Sequence, residues 1–235
     1  MTSVSVVTSA GVVPGYLATP TGEGPWPGVV VIHEAFGLTD DIREVADRFA
    51  SEGYLAFAPD LLATGNRIAC LVRLARAMSS GSGAPVDQIL GVRDWLADGP
   101  DCTGKVGIAG FCLGGGFAIV LANQGFDVSA AQYGRLPKNL QSAISGSCPM
   151  VASYGALDRT LAGAAATLES ALAEAEVRHD VKQYPEAGHS FMTTGSAPAW
   201  MGPVDRVSGM HQGYVDTAAN DAWQRILAMF ASALN

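Results

Sequence analysis

The 235-residue sequence predicts an α/β fold, a mostly parallel twisted sheet with helices on both faces. Three observations carry that expectation. Segments with strand character alternate with segments of helical spacing along most of the chain, which implies parallel pairing through right-handed crossovers. Two strand segments, Gly28–His33 and Val106–Ala109, are continuous apolar runs, as strands buried on both faces require. Apolar residues make up 49% of the chain, enough for one large core. A single domain spanning 1–235 is therefore expected.

Taken in order, Val4–Ser9 and Gly15–Thr19 read as two short strands. A Gly- and Pro-rich loop, Pro20–Pro27, leads to the apolar strand Gly28–His33, whose exit loop is Glu34–Gly37. Thr39–Glu52 has helical spacing (Ile42, Val45, Ala46, Phe49) and stops at Gly53. Tyr54–Ala58 is the next strand, closed by Pro59-Asp60. Ile68–Met78 is helical, Ser79–Gly83 is a link, and Val86–Ala97 is an amphipathic helix with Ile89, Leu90, Val92 and Trp95 as its inner face. After the turn Gly99–Gly104 come the strand from Lys105 and a helix reaching Asn123. Val128–Tyr133, Met150–Tyr154 and Arg178–Tyr184 are strands, with a helix over Thr160–Ala175 and a terminal helix over Ala218–Leu234. Met192–Gly213 is longer than an ordinary connection and reads as a functional loop or partial lid, with Trp200, Met201 and Met210 as its apolar ceiling.

The formal net charge of −8 argues against nucleic acid or an anionic membrane surface as a partner. The four cysteines, Cys70, Cys102, Cys112 and Cys148, lack CxxC or metal-ligand spacing, so neither a metal site nor a disulfide framework is expected. The N-terminus has no secretory pattern, and no apolar run reaches membrane-spanning length. A cytoplasmic protein without cofactor, monomeric or a small homo-oligomer, is the expectation.

The chain is organised around Gly110-Phe111-Cys112-Leu113-Gly114, placed between an apolar strand and a helical pattern. This is the nucleophile-elbow pattern G-x-S-x-G with cysteine in the serine slot. A nucleophile on so sharp a strand-to-helix turn sits in strained backbone, so the residues two before and two after it must be small. The following helix directs its positive end at the sulfur, which favours an anion there. The competing reading is a buried core cysteine.

An elbow nucleophile needs a base and a group that orients the base. The chain order for such turns is nucleophile, acid, histidine, each at the carboxyl end of a strand. Asp158 follows the strand Met150–Tyr154, and His189 follows the strand ending at Tyr184. Read alone, Asp158 is a helix N-cap. His33, His179 and His211 compete with His189, and His211 is the serious rival. Backbone N–H groups of Leu113 and Ala35 are the expected oxyanion donors.

Together Gly110-Phe-Cys-Leu-Gly-Gly, His33-Glu34-Ala35-Phe36-Gly37, Ala58-Pro59-Asp60-Leu61 and Gly188-His189-Ser190-Phe191 resemble the dienelactone hydrolase (carboxymethylenebutenolidase) family. The resemblance runs from about Gly15 to the terminal helix and implies the α/β-hydrolase fold. It implies that Glu34 matches the glutamate that contacts the resting thiol and deprotonates it when substrate arrives. It also exposes a departure. Thr193 stands where the family places an arginine for a substrate carboxylate, while Arg67, Arg73 and Arg76 are equal candidates for a second arginine.

Cysteine itself constrains the substrate. A thiolate leaves readily from a tetrahedral intermediate, so attack is productive only when the other leaving group is also good, as in enol esters and enol lactones. The expected activity is hydrolysis of a small activated ester or lactone through Cys112, Asp158 and His189, with an acyl-thioester intermediate. The alternatives are a broad carboxylesterase or thioesterase for neutral substrates, and a non-catalytic ligand-binding α/β protein with a sensor thiol.

Overall fold

The computed structural model describes residues 2–194 and 207–234. Its centre is an eight-stranded sheet: β1 (Thr2–Thr8), β2 (Gly11–Ala18), β3 (Trp26–Ile32), β4 (Leu55–Pro59), β5 (Cys102–Phe111), β6 (Val128–Gln132), β7 (Met150–Gly155) and β8 (His179–Tyr184). The spatial order is β1-β2-β4-β3-β5-β6-β7-β8. β1 and β2 form an antiparallel hairpin, β2 pairs antiparallel with β4, and every later pairing is parallel. The expected mostly parallel sheet is therefore what forms. The hairpin is tighter than its residues suggest, because Pro14 lies within β2 opposite Ser5. Proline cannot donate to a ladder, but its carbonyl can accept, here from the Asp60 amide at 2.8 Å.

Helices flank both faces. On one side lie α1 (Asp40–Ser51) and the terminal α7 (Asp216–Leu234); on the other lie α2 (Arg67–Ser80), α3 (Ala84–Ala97), α4 (Leu113–Leu121), α5 (Leu140–Ile144) and α6 (Ala164–Glu174). Local chemistry sets their ends. The Asn66 side chain accepts the Ile68 and Ala69 amides at 3.0 and 3.1 Å and so caps α2, which runs on to a left-handed Gly81. The expected link Ser79–Gly83 is thus partly the last turn of a helix. In α3 the inner face is Val86, Ile89, Val92 and Leu96, while Trp95 is 37% exposed and packs edge-on against Phe57. Trp95 is displaced from the expected stripe because Leu96 falls closer to the arc of the other three residues.

The register decides where the strands end. Ile32 of β3 sits beside Gly110 of β5, Phe111 beside Gln132 of β6, and Gln132 beside Ser153 of β7. The carboxyl ends of β3, β5, β6 and β7 consequently form one continuous edge. β3 leads to α1 on one face and β5 leads to α4 on the other. The crevice between those two divergent connections is where open α/β sheets place ligands.

Candidate active site

Cys112 occupies the turn between β5 and α4 with φ 55° and ψ −111°, a backbone conformation that a residue with a Cβ rarely adopts. The flanking glycines make the turn possible. A Cβ on Gly110 would lie 1.9 Å from the Gly114 carbonyl oxygen, and one on Gly114 would lie 2.1 Å from the Ile32 carbonyl oxygen. The Cys112 amide donates to Gln132 O at 3.0 Å, which ties the turn to β6. The sulfur is half-buried and stands at the N-terminus of α4. Cys70 and Cys102 are buried elsewhere, and burial pushes the Cys148 thiol up to about 12.

Asp158 and His189 meet at the carboxyl edge of β7 and β8. His189 Nδ1 lies 2.6 Å from Asp158 Oδ2, with both side chains buried. The other Asp158 oxygen accepts from the Thr160 amide at 2.9 Å and from its hydroxyl at 2.6 Å. The cap role and the histidine contact therefore coexist, one on each oxygen. Burial opposes the carboxylate's charge, but the hydrogen bonds from His189 and Thr160 prevail and hold it below its ordinary range. Burial likewise opposes charge on His189, yet the Asp158 carboxylate and the neighbouring Cys112 push it up to about 10. Nε2 is buried without a hydrogen-bond partner among the described residues.

The competing histidines are placed otherwise. His33 is buried in the β3 exit loop, and His179 Nδ1 faces Val177 O at 2.7 Å at the start of β8. His211 is exposed at φ 51°, and its backbone covers Gly188, where a Cβ would meet His211 O at 1.8 Å. The segment around it supports the histidine loop. The His189 amide donates to Met210 O at 2.9 Å, and the Gly213 amide to His189 O at 3.3 Å. Trp200 and Met201 lie outside the described residues.

Glu34 follows β3, and its Oε1 accepts a hydrogen bond from Ser190 Oγ at 3.1 Å. Burial raises its pKa, against the lowering influence of His189 and Ser190. Two residues of this cluster were missed by sequence reasoning. Ser190 adjoins His189. Tyr133, immediately after β6 at φ 40°, is fully buried, with its ring centroid 5.2 Å from that of His189 and its hydroxyl near Glu34 and Thr193. An aromatic residue with a polar tip at a strand's carboxyl end was the available signal.

Among the backbone donors, Leu113 opens α4, where an amide has no partner within the helix. The Ala35 amide has no acceptor among the described residues. Thr193 is buried, its hydroxyl 3.3 Å from Ser190 O. Of the three candidate arginines, Arg67 donates to Phe36 O beside the Glu34 loop, whereas Arg73 and Arg76 line a groove between α2 and α3.

The strand order, the strained cysteine turn and the Asp158–His189 pair define an α/β-hydrolase. Within that class the chain belongs to the dienelactone hydrolase family, whose model matches residues 13–234. A relative from Salmonella typhimurium bearing the name "Putative carboxymethylenebutenolidase" is 30% identical over 238 residues, covering 93% of this chain and 82% of its own. A Methylorubrum extorquens protein of the same name is 32% identical over 206 residues, 80% of this chain and 71% of its own. Among solved structures, that of a "Putative Dienelactone Hydrolase" from Klebsiella pneumoniae superposes with a TM-score of 0.77 at 28% identity, covering 98% of this chain and 97% of that one. Among the described residues, no helix is long and apolar enough to cross a membrane.

Proposed function

We propose that this hydrolase opens small activated esters or lactones, enol lactones of the dienelactone type included, by thiolate attack from Cys112. The observation that carries the proposal is the His189–Asp158 contact of 2.6 Å, at the sheet edge where the strained Cys112 turn also lies. In this reading the sulfur bonds to the substrate carbonyl carbon, and the carbonyl oxygen takes the negative charge, facing the amides of Ala35 and Leu113. The carbon–oxygen bond to the enolate then breaks, and the imidazolium of His189 supplies the leaving group's proton. Water attacks the acyl-thioester, giving its proton to His189 Nε2, and the thiolate departs. Asp158 holds the imidazole tautomer and stabilises its cation. Glu34 accepts the thiol proton when substrate arrives and returns it to the sulfur after the thiolate departs. No cofactor or metal enters the sequence of steps.

A second reading has a specific observation in its favour. Thr193, buried beside Ser190, is a neutral residue where the family's arginine is expected, which suits neutral esters. Paired p-nitrophenyl esters with and without a carboxylate on the acyl group separate the two readings.

The test of the thiol mechanism is Cys112→Ala assayed with p-nitrophenyl acetate and a dienelactone. Hydrolysis is expected to fall at least about 1,000-fold, while Cys70, Cys102 and Cys148 variants retain it. Intact-mass measurement with a slow substrate should show one acyl group on the wild type. Its absence would favour a sensor thiol, and undiminished turnover by Cys112→Ala would end the proposal.

A further inference from the structure

His33 plays no part in the chemistry above, yet it is one of the few fully buried polar side chains, at 1% exposure. Both of its ring nitrogens are engaged. Nε2 accepts the Leu61 amide at 3.1 Å, and Nδ1 lies 2.6 Å from the carbonyl oxygen of Glu34. The Leu61 N–H can only be received by an unprotonated nitrogen, so the Leu61 contact fixes the tautomer. The proton sits on Nδ1 and is donated to Glu34 O. Burial, as the leading influence, also lowers the pKa of His33, so the ring stays neutral.

The acceptor is informative. The Glu34 carbonyl and the Ala35 N–H belong to the same peptide group. A donor on the carbonyl oxygen draws electron density from the nitrogen, which strengthens the N–H as a donor in turn. Together with the Gly37 amide, which donates to the same oxygen at 3.2 Å, it holds the peptide plane against rotation. The loop is anchored at both ends of this contact. Leu61 follows Asp60, whose amide is bonded to Pro14 O at 2.8 Å. On the other side, a Cβ on Gly114 would lie 3.0 Å from His33 O, so the β3 exit abuts the first turn of α4, where Leu113 lies.

We infer that His33 is a positioning residue of the oxyanion site, aiming and polarising the Ala35 N–H through the Glu34–Ala35 peptide while clamping the β3 exit loop to the β4 exit loop. The inference rests on the proposed thiolate mechanism, in which Ala35 N–H receives the developing negative charge.

Two variants divide the contacts of the ring. In His33→Asn the amide nitrogen reaches the place of Nδ1 and keeps the donor to Glu34 O. In His33→Gln the terminal group reaches the place of Nε2, keeping the Leu61 contact and losing that donor. With p-nitrophenyl acetate, kcat of His33→Gln is expected to fall about 10- to 100-fold, less than the loss for an oxyanion donor removed outright, with KM changed less than about threefold. His33→Asn should recover most of that loss. Alkylation of Cys112 by iodoacetamide forms no oxyanion, so its rate should stay within about twofold of wild type in both variants.

Wild-type kcat in His33→Gln would overturn the inference, as would a His33→Asn variant no better than His33→Gln. A fall in alkylation matching the fall in kcat would place the lesion at Cys112 or Glu34 and would also overturn it. Failure of the mechanism itself is read separately, as turnover surviving in Cys112→Ala.

Discussion

In the proposed mechanism the Asp158–His189 pair ties activity to the same two atoms that carry pH-dependent stability. Asp158 sits below its ordinary value of 3.8, so its contribution is present above that pH and is lost as the pH falls through its lower, folded value. His189 sits at about 10 against an ordinary 6.5, so its contribution is full below 6.5 and is lost as the pH rises through 10. The pair therefore stabilises most between about pH 4 and 6.5. Asp158→Asn should lower the melting temperature most in that window, with the difference shrinking toward pH 10, and should cut kcat at least about 100-fold. A melting difference independent of pH would contradict this. Glu34 has the opposite sign. Burial raises its pKa above 4.5, so its ionisation costs stability as the pH rises beyond that value. Glu34→Gln should raise the melting temperature at neutral pH and leave it unchanged well below pH 4.5, as scanning calorimetry across pH can read.

At the scale of elements, the elbow is where sequence and structure agree most closely, because steric exclusion leaves so few alternatives. Gly110 and Gly114 face backbone oxygens at 1.9 and 2.1 Å from a hypothetical Cβ, and backbone cannot step aside as a side chain can. Gly114→Ala should cost about 3 kcal/mol or more and disrupt the Cys112 turn, measured by denaturant unfolding and by thiol alkylation. Helix α7 illustrates burial by shape. Its Trp223 and Phe230 pack on Phe49 of α1 with centroids 5.2 and 5.4 Å apart, and Phe230 also meets Tyr54. Phe230→Ala should cost about 3–5 kcal/mol by the same measurement. The helix was legible as periodicity, but its partner was not, since several apolar faces of similar size compete for the same cover. The inner face of α3 was misjudged at Trp95 for a related reason. Periodicity marks a stripe but does not say which edge of the stripe the sheet meets.

For the molecule as a whole, Arg225 joins the parts that carry the site. From α7 it donates to Asp180 of β8, to Ser153 of β7 and to the Tyr184 hydroxyl, at 2.7 to 3.1 Å. β7 leads to Asp158 and β8 to His189, so this one guanidinium sets the spacing between the two strands whose exits must meet. Burial disfavours its charge, but Asp180 and Tyr184 outweigh that and raise its pKa further. Arg225→Met should lower stability by about 2–3 kcal/mol and reduce kcat with it; unchanged kcat in a folded, destabilised variant would show that the strand spacing does not control the site.

Local sequence was enough for the fold class, the cysteine turn, and the chain order of Cys112, Asp158 and His189. Each is written in residues close along the chain, where apolar runs, glycine spacing and strand exits speak directly. Tertiary structure alone decided which groups touch across the edge. It bonded Glu34 to Ser190, 156 positions away, placed Tyr133 beside His189, and set Arg67 rather than Arg73 or Arg76 at the β3 loop. It also turned His33 from a rejected base into a clamp on the Glu34–Ala35 peptide. Those contacts depend on the register of four strands and on where their exits end, and a register is a property of the assembled sheet, which no local stretch of sequence encodes.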